Sequence, residues 1–540
     1  MAAPAGWPVL MYDVIIRSGR VIDGTGAPGI DSDVAVVGDT VVAIGTKLEG
    51  SAARTIDATG LVVAPGFIDL HSHADFNFFI DPTADSKVTQ GVTLELVGNC
   101  GMSFCAPLIG ESTEDLATRA AWYGTGWRPN WTDFSGYLDA LEKQTSTLNV
   151  ATQVGHGTVR KAVMGSQTRA PSPEELARMR ALVSESLDAG ALGFSTGLSM
   201  PPGFYSLTPE VIALAGEAAS RGKLYSTHAR DSGDEGFGLF VANEEALEIG
   251  RRTGVRVQFS HIKCNGSTRG RSPELIARIE AALKEGIDIA ADVYPYVAAS
   301  GPMSGNVFPR WAMDGGRQKA LERMRDADLR AMARSHLDER IGSMGGPDRL
   351  MVASYPPNRE FEGRGLPGIA SELNCDPAEA LVRLFEKYDV QLILSGMAQA
   401  DLDRFQASEF VAVASDGSSI KSTGPLSAGK PHPRSYGTFP RFLDQAVRAS
   451  KLVSLEEGVR KMTSLPAERL GLTRRGRLAA GYAADIALFD AETVSDRATF
   501  TDPHRYATGV KYVLVNGVPV VDRGKSTGRT PGRVLRDRTS

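Results

Sequence analysis

Residues 65–73 read PGFIDLHSH. An apolar run after a Pro-Gly turn has the pattern of a short strand, and side chains alternate faces along a strand. His71 and His73 then point the same way, as half of a divalent-metal site. The ordinary alternative is a pair of loop histidines. Other apolar runs along the chain end in comparable residues. VGNC ends at Cys100, GHG holds His156, THAR holds His228 and Arg230, and SHIK holds His261 and Lys263. DVYPY carries Asp292, Tyr294 and Tyr296, and ASDG carries Asp416. Several imidazoles and a thiol gathered at one end of one sheet would be costly to bury unpaired, roughly 1–3 kcal/mol for each group. A bound cation offsets that cost. A Cys100 thiolate is a soft ligand that favours zinc; as a plain thiol it is a small buried hydrophobe. Cys105 and Cys264 are weaker candidates, and Cys264 has the wrong strand parity relative to His261 and Lys263.

These groups can meet only if their strands lie side by side with one polarity. Eight strand candidates run over 66–71, 93–98, 149–156, 191–197, 223–228, 257–262, 288–296 and 411–417. Helical runs such as PEELARMRALVSESLDAG (173–190) and PELIARIEAALKEG (273–286) lie between several of them. Strand–helix repetition implies a parallel sheet, and about eight units imply a closed (β/α)8 barrel whose chemistry sits at the strand C-terminal ends. A doubly wound open sheet is the alternative. The class is α/β, with the barrel over residues 64–470. Residues 297–390 interrupt the rhythm and read as an insertion at the barrel mouth, and His336 within it reads as a solvated surface residue. Both chain ends differ from the middle. Residues 11–63 and 471–530 alternate with period two between Gly and Asp turns, and Asn516-Gly517 is a strong hairpin signal. They are expected to form one small discontinuous β-sandwich. Residues 1–10 are expected as a disordered lead-in and 531–540 as a loose tail.

The 540 residues carry a formal net charge of −5, with 42% hydrophobic and 23% charged residues. That balance points away from nucleic acid and acidic membrane surfaces as partners. Four cysteines in a chain this long do not make a disulfide scaffold and suit a reducing compartment. Without a recognisable secretory leader or an apolar run of membrane-spanning length, the expected location is cytoplasmic.

The stretches PGFIDLHSHAD, LVGNCG, THARD, SHIKCNG, DVYPY, SDG and HPRSYGTFPRFL, in this order from residue 65 to about 443, resemble the N-acyl-D-amino-acid deacylase (D-aminoacylase) family of the amidohydrolase superfamily. The resemblance implies zinc-dependent hydrolysis of a linear amide, with a small N-acyl amino acid as substrate. It implies one tight zinc on Cys100, His228 and His261, and a weaker divalent site on His71 and His73 near Asp416, which the thiolate can bridge. Asp416 becomes the general base. Lys263, Tyr294 and Arg434 match positions that contact the substrate carboxylate. His156 or a tyrosine is expected to stabilise the oxyanion; Arg230 shares parity with His228 and has no assigned role. The run 417–433 and the insertion both exceed the family pattern, and the Gly/Ser-rich stretch 417–430 is expected as a mobile lid. The alternatives are a cyclic-amide hydrolase of the dihydroorotase or hydantoinase kind, which the lack of a bridging lysine after the third or fourth strand disfavours, and a non-catalytic scaffold.

Overall fold

The computed structural model describes residues 11–233 and 236–536; the expected lead-in and residues 537–540 lie outside them. Eight parallel strands form the barrel: Phe67–Asp69, Val92–Val97, Asn149–Gly155, Gly193–Gly197, Leu224–His228, Arg256–Phe259, Ile289–Val293 and Val411–Val413. They pair in sequence order. The seam between the last strand and the first is joined just beyond their ends, where Asp416 N donates to His71 O (2.8 Å) and His73 N to Gly417 O (2.8 Å). The closed barrel, not the open sheet, is therefore the architecture. Alternate residues divide the apolar load. Ile68, Leu70, Leu94, Leu96, Ala151, Leu224 and Ala414 form one cluster. Phe194, Tyr225, Val257, Ile289 and Val413 join the surrounding helices in another.

The helices carry their own start and stop signals. Helix Pro173–Ala189 opens with a capping box in which Ser172 and Glu175 satisfy each other's backbone N–H, has Pro in its first turn, and ends at Gly190 (φ 124°).

Strands from both chain ends make one nine-stranded sheet. Val62–Pro65 pairs antiparallel with Ile486–Phe489, one residue before the first barrel strand. The long strand Met11–Val21 pairs with Ser51–Asp57 over its first part and with Val62 and Val63 at its end, so the sheet branches there. Val14, Ile16, Val34, Val36, Ile486, Leu488 and Leu514 are enclosed together. The expected sandwich is thus a single sheet folded around its apolar face. Asn516 (φ 47°) and Gly517 (φ 79°) make the left-handed turn that the hairpin signal demands.

Within residues 297–390, and just beyond, the strands Ala299–Pro302, Leu350–Ser354 and Gln391–Leu394 form an antiparallel sheet. This part has its own core, including Phe308 and Phe385 stacked at 4.1 Å between ring centroids. His336 is exposed on helix Ala327–Met344.

The expectation of a loose end fails for residues 531–536. Gly532 N donates to Ser146 O (2.7 Å), Val150 N to Arg533 O (2.9 Å) and Leu535 N to Val150 O (2.8 Å), while Arg536 pairs with Asp139 and Glu142. Asn149, at the start of the third strand, accepts from both Arg533 and Asn516, which recruits this segment to the barrel floor. Removing residues 531–540 is expected to lower the thermal midpoint by several degrees in a calorimetric scan; an unchanged midpoint would show that these contacts add no stability.

Candidate metal centre

The site lies where strands end and the backbone turns sharply. The second strand runs out at Val97, and Gly98 (φ 85°) turns the chain so closely against its neighbour that a Cβ there would lie 2.1 Å from Gln153 O. Asn99 pins the turn by donating to Leu96 O (2.8 Å) and accepting from Gln153 Nε2 (2.9 Å). Cys100 follows with φ 54°, and a Cβ on Gly197 would lie 2.2 Å from its carbonyl oxygen. His261 (φ 36°) and Asp416 (φ 49°) are also left-handed. Such backbone costs about 1–3 kcal/mol per residue and is kept where side-chain direction matters more.

These turns bring the sequence-predicted residues together. Cys100 Sγ is 3.3 Å from His71 Nε2, 3.5 Å from His228 Nδ1 and 3.5 Å from His261 Nε2. Asp416 Oδ1 lies 3.1 Å from His73 Nε2 and 3.5 Å from His71 Nε2. Two groups of ligand atoms result, each within 4.8 Å: His71, His73, Cys100 and Asp416; and Cys100, His228 and His261. Cys100 belongs to both. A tetrahedral zinc ion, with bonds of about 2.3 Å to sulfur and about 2.0–2.1 Å to nitrogen, holds the two ligands roughly 3.6 Å apart. The observed spacings fit that donor set.

Electrostatics prepare the ligand form at Cys100 and His261, whereas at His71 and His73 burial is overcome by Cys100 and Asp416, which raise both imidazoles, so a metal must displace their protons. Burial pushes the Cys100 thiol up, but the His71 charge and hydrogen bonds from His228 and His261 hold its pKa well below the ordinary value, which favours thiolate. His261 is pushed down to about 4 by burial and by the Lys263 charge, so its imidazole is neutral at pH 7. Burial also opposes ionised Asp416, but the Arg434 charge together with His261, His71 and the hydrogen bond from His73 keeps the carboxyl well below its usual range. Arg434 Nη1 is 2.8 Å from Asp416 Oδ2.

The expected carboxylate receptor also assembles. The Arg434 guanidinium lies 4.8 Å and Lys263 Nζ 5.7 Å from the Tyr294 ring centroid, and the buried Tyr294 hydroxyl has no hydrogen-bond partner. Arg434 and Lys263 border a cavity of about 600 Å³ that is also lined by His73, Cys100, His228, His261 and Asp416. The inserted sheet supplies part of its wall through Ala299, Ser300, Gly301, Pro302 and Ser354.

Two candidates are not brought here. His156 starts helix His156–Met164, is fully buried, and contacts Glu210 Oε1 (2.8 Å), which also binds Arg160. Arg230 is tied to both Glu245 oxygens at 2.7 Å. Neither lines the cavity, because Glu210 holds His156 and Glu245 holds Arg230. The lid expectation meets a fastened segment: Ile420 N donates to Ser86 Oγ, Asn77 Nδ2 donates to Ser419 O, and Lys421 pairs with Asp81.

Some working residues carried little signal. Asp292 touches His71 Nδ1 (3.3 Å) and accepts from His261 N (2.7 Å), orienting one ligand in each group. Lys87, fully buried, donates to Asp69 (2.5 Å) and Ser415 Oγ (2.6 Å) and lies 3.0 Å from Glu95. Asp69 also accepts from Ser415 N (2.9 Å), so this ionic knot ties the first, second and eighth strands directly behind His71 and Asp416. The available clue was an acid embedded in each of the apolar strands FID and VTLELV.

A family model described as "Amidohydrolase family" matches residues 54–289 and 424–521. An N-acyl-D-glutamate deacylase of Alcaligenes xylosoxydans xylosoxydans is 37% identical over 526 residues, covering 97% of this chain and 96% of that protein. The structure of an N-acyl-D-glutamate deacylase from Bordetella bronchiseptica, complexed with zinc and a phosphonate that mimics the tetrahedral intermediate, superimposes with a TM-score of 0.82 at 34% identity, covering 98% of this chain and all of that one. A D-aminoacylase with a binuclear metal centre, showing one-metal activation and second-metal attenuation, gives 0.81 at 34% identity over 97% of this chain and all of its own. This chain belongs to the amidohydrolase family. Its full-length similarity places it in the D-aminoacylase branch of that family.

Replacing Lys87 by Met leaves Asp69 and Glu95 buried without their cation, and is expected to cost about 3–5 kcal/mol. Urea unfolding measures it; a loss below about 1 kcal/mol would mean that the knot is not integral to the seam.

Proposed function

We propose that this protein hydrolyses the amide bond of N-acyl-D-amino acids, releasing a D-amino acid and a carboxylic acid, with zinc as its metal. The observation that carries the reading is one thiolate shared by two sets of imidazoles, with a carboxylate in contact and a cationic receptor beside it. Full-length similarity to deacylases of linear N-acyl-D-amino acids supports this over hydrolysis of cyclic amides.

Cys100, His228 and His261 would hold the tighter ion, and His71 and His73, near Asp416 and with Cys100 able to bridge, a weaker one. Bound there, zinc would supply Lewis acidity toward the amide carbonyl and toward water. Asp416 takes the proton of the attacking water on its carboxylate and returns it to the departing nitrogen. The Arg434 charge keeps Asp416 ionised and ready for this. Arg434, Lys263 and Tyr294 bind the α-carboxylate, and the Tyr294 hydroxyl finds there the partner it lacks in the free protein. Asp292 holds His71 and the turn at His261 in their ligand orientations. The branch resemblance supplies the D preference.

Three outcomes are expected. Asp416→Asn abolishes turnover of N-acetyl-D-amino acids while zinc content stays near wild type; activity within about tenfold would remove Asp416 from the proton-transfer role. Cys100→Ala loses the tightly held zinc on dialysis, and full occupancy by elemental analysis would refute its assignment. Arg434→Ala raises KM for substrates with a free α-carboxylate more than for their amides; equal effects would argue against the receptor.

A further inference from the structure

His432 stands two residues ahead of Arg434, and the reaction described above gives it no part. Helix Arg434–Arg441 starts after Pro433, which has no side chain able to cap it. The His432 imidazole takes that place. Arg434 N donates to its Nδ1 (3.0 Å), which satisfies one of the backbone donors that a helix start leaves open. The other ring nitrogen, Nε2, meets Ala298 O (2.9 Å). A carbonyl only accepts and a backbone N–H only donates, so these partners fix one tautomer, with the proton on Nε2. Burial and the Arg434 charge push the pKa well below its ordinary value, so the ring stays neutral and both bonds persist.

The two bonds join parts of the molecule that are far apart in sequence. Ala298 lies one residue before strand Ala299–Pro302 and packs with Ala353 and Ile393 of the inserted sheet. Arg434 Nη2 reaches Ser300 O (3.4 Å) on the same strand. The buried ring between them is held edge-on by Tyr296 and Phe500, each 5.1 Å away between ring centroids, and by Tyr294 at 6.1 Å. Tyr294 and Arg434 are themselves two of the three receptor groups. Ser or Asp would serve as a helix cap alone. An imidazole is called for when a second bond in another direction matters as well.

We infer that His432 is a positioning residue of the carboxylate receptor, which fixes Arg434 relative to the root of the inserted sheet. This rests on the deacylase reading. His432 touches no reacting atom; it acts through the backbone of Arg434. Misplacing a substrate-positioning group by about 1 Å can cost about 100-fold, so the effect falls on recognition of the α-carboxylate.

The test uses the zinc-loaded full-length protein with N-acetyl-D-leucine and N-acetyl-D-glutamate, each compared with its α-carboxamide. His432→Phe is expected to raise KM for the acids by about tenfold or more beyond any rise for the carboxamides, with kcat changed less than KM and zinc content near wild type. His432→Asn, which can still accept from Arg434 N, is expected to restore part of the preference. On an Arg434→Ala background His432→Phe is expected to add nothing to KM for the acids. Phe500→Ala opens one side of the ring at a half-buried position, and keeps the test decisive should the His432 variants not fold. It is expected to shift the same ratio of KM values by about threefold. An equal rise on acids and carboxamides in His432→Phe is the result of a merely structural histidine and overturns the inference. So does a further rise on the Arg434→Ala background, or an unchanged ratio in Phe500→Ala. Each of these leaves the deacylase reading standing, whereas no release of amino acid by wild type from either acid overturns both together.

Discussion

A sulfur anion held inside a protein is the constraint from which the rest follows. Cys100 is 4% exposed, and burial works against its charge. Thiolate is the form that binds metal, so the surroundings must supply positive charge and hydrogen bonds from several directions. They come from residues spread along the chain from position 71 to position 261: His71, His228 and His261. A closed barrel is the architecture that brings such segments to one point, because every strand end faces the same mouth. The left-handed backbone at Cys100, His261 and Asp416 shows where strand geometry alone would have aimed the side chains wrongly.

Much of this could be read from residue order. The eight apolar runs lie at the eight barrel strands, and their polar ends supply the site. Strand alternation predicts that His71 pairs with His73 and His261 with Lys263, yet the strands end at Asp69 and Phe259. Turns, not the two-residue repeat, aim these groups, and turn geometry leaves only weak marks such as the glycines at 98 and 101. His156 and Arg230 occupy strand ends like the others, but Glu210 and Glu245, remote in sequence, claim them. Long-range ion pairs of that kind have no local signature.

The inserted segment borders the pocket while keeping a core of its own. Its small sheet is anchored by a separate apolar core and lends only an edge to the cavity. Such a module can change what the pocket admits without moving the barrel seam. The seam itself is held by groups with no part in chemistry: Lys87 and the acids around it keep the first and eighth strands in register, and that register sets the distance from His71 and His73 to Asp416.

The pairing of Val62–Pro65 with Ile486–Phe489 has a bearing on biogenesis. These strands are hundreds of residues apart, and non-local pairing of this kind is slow to form. During synthesis the first of them waits on the ribosome with an open edge, immediately ahead of the segment bearing His71 and His73. The edge of the strand that leads into the barrel is therefore covered only once the polypeptide is nearly complete, a built-in order of assembly that leaves nascent chains open to association with one another.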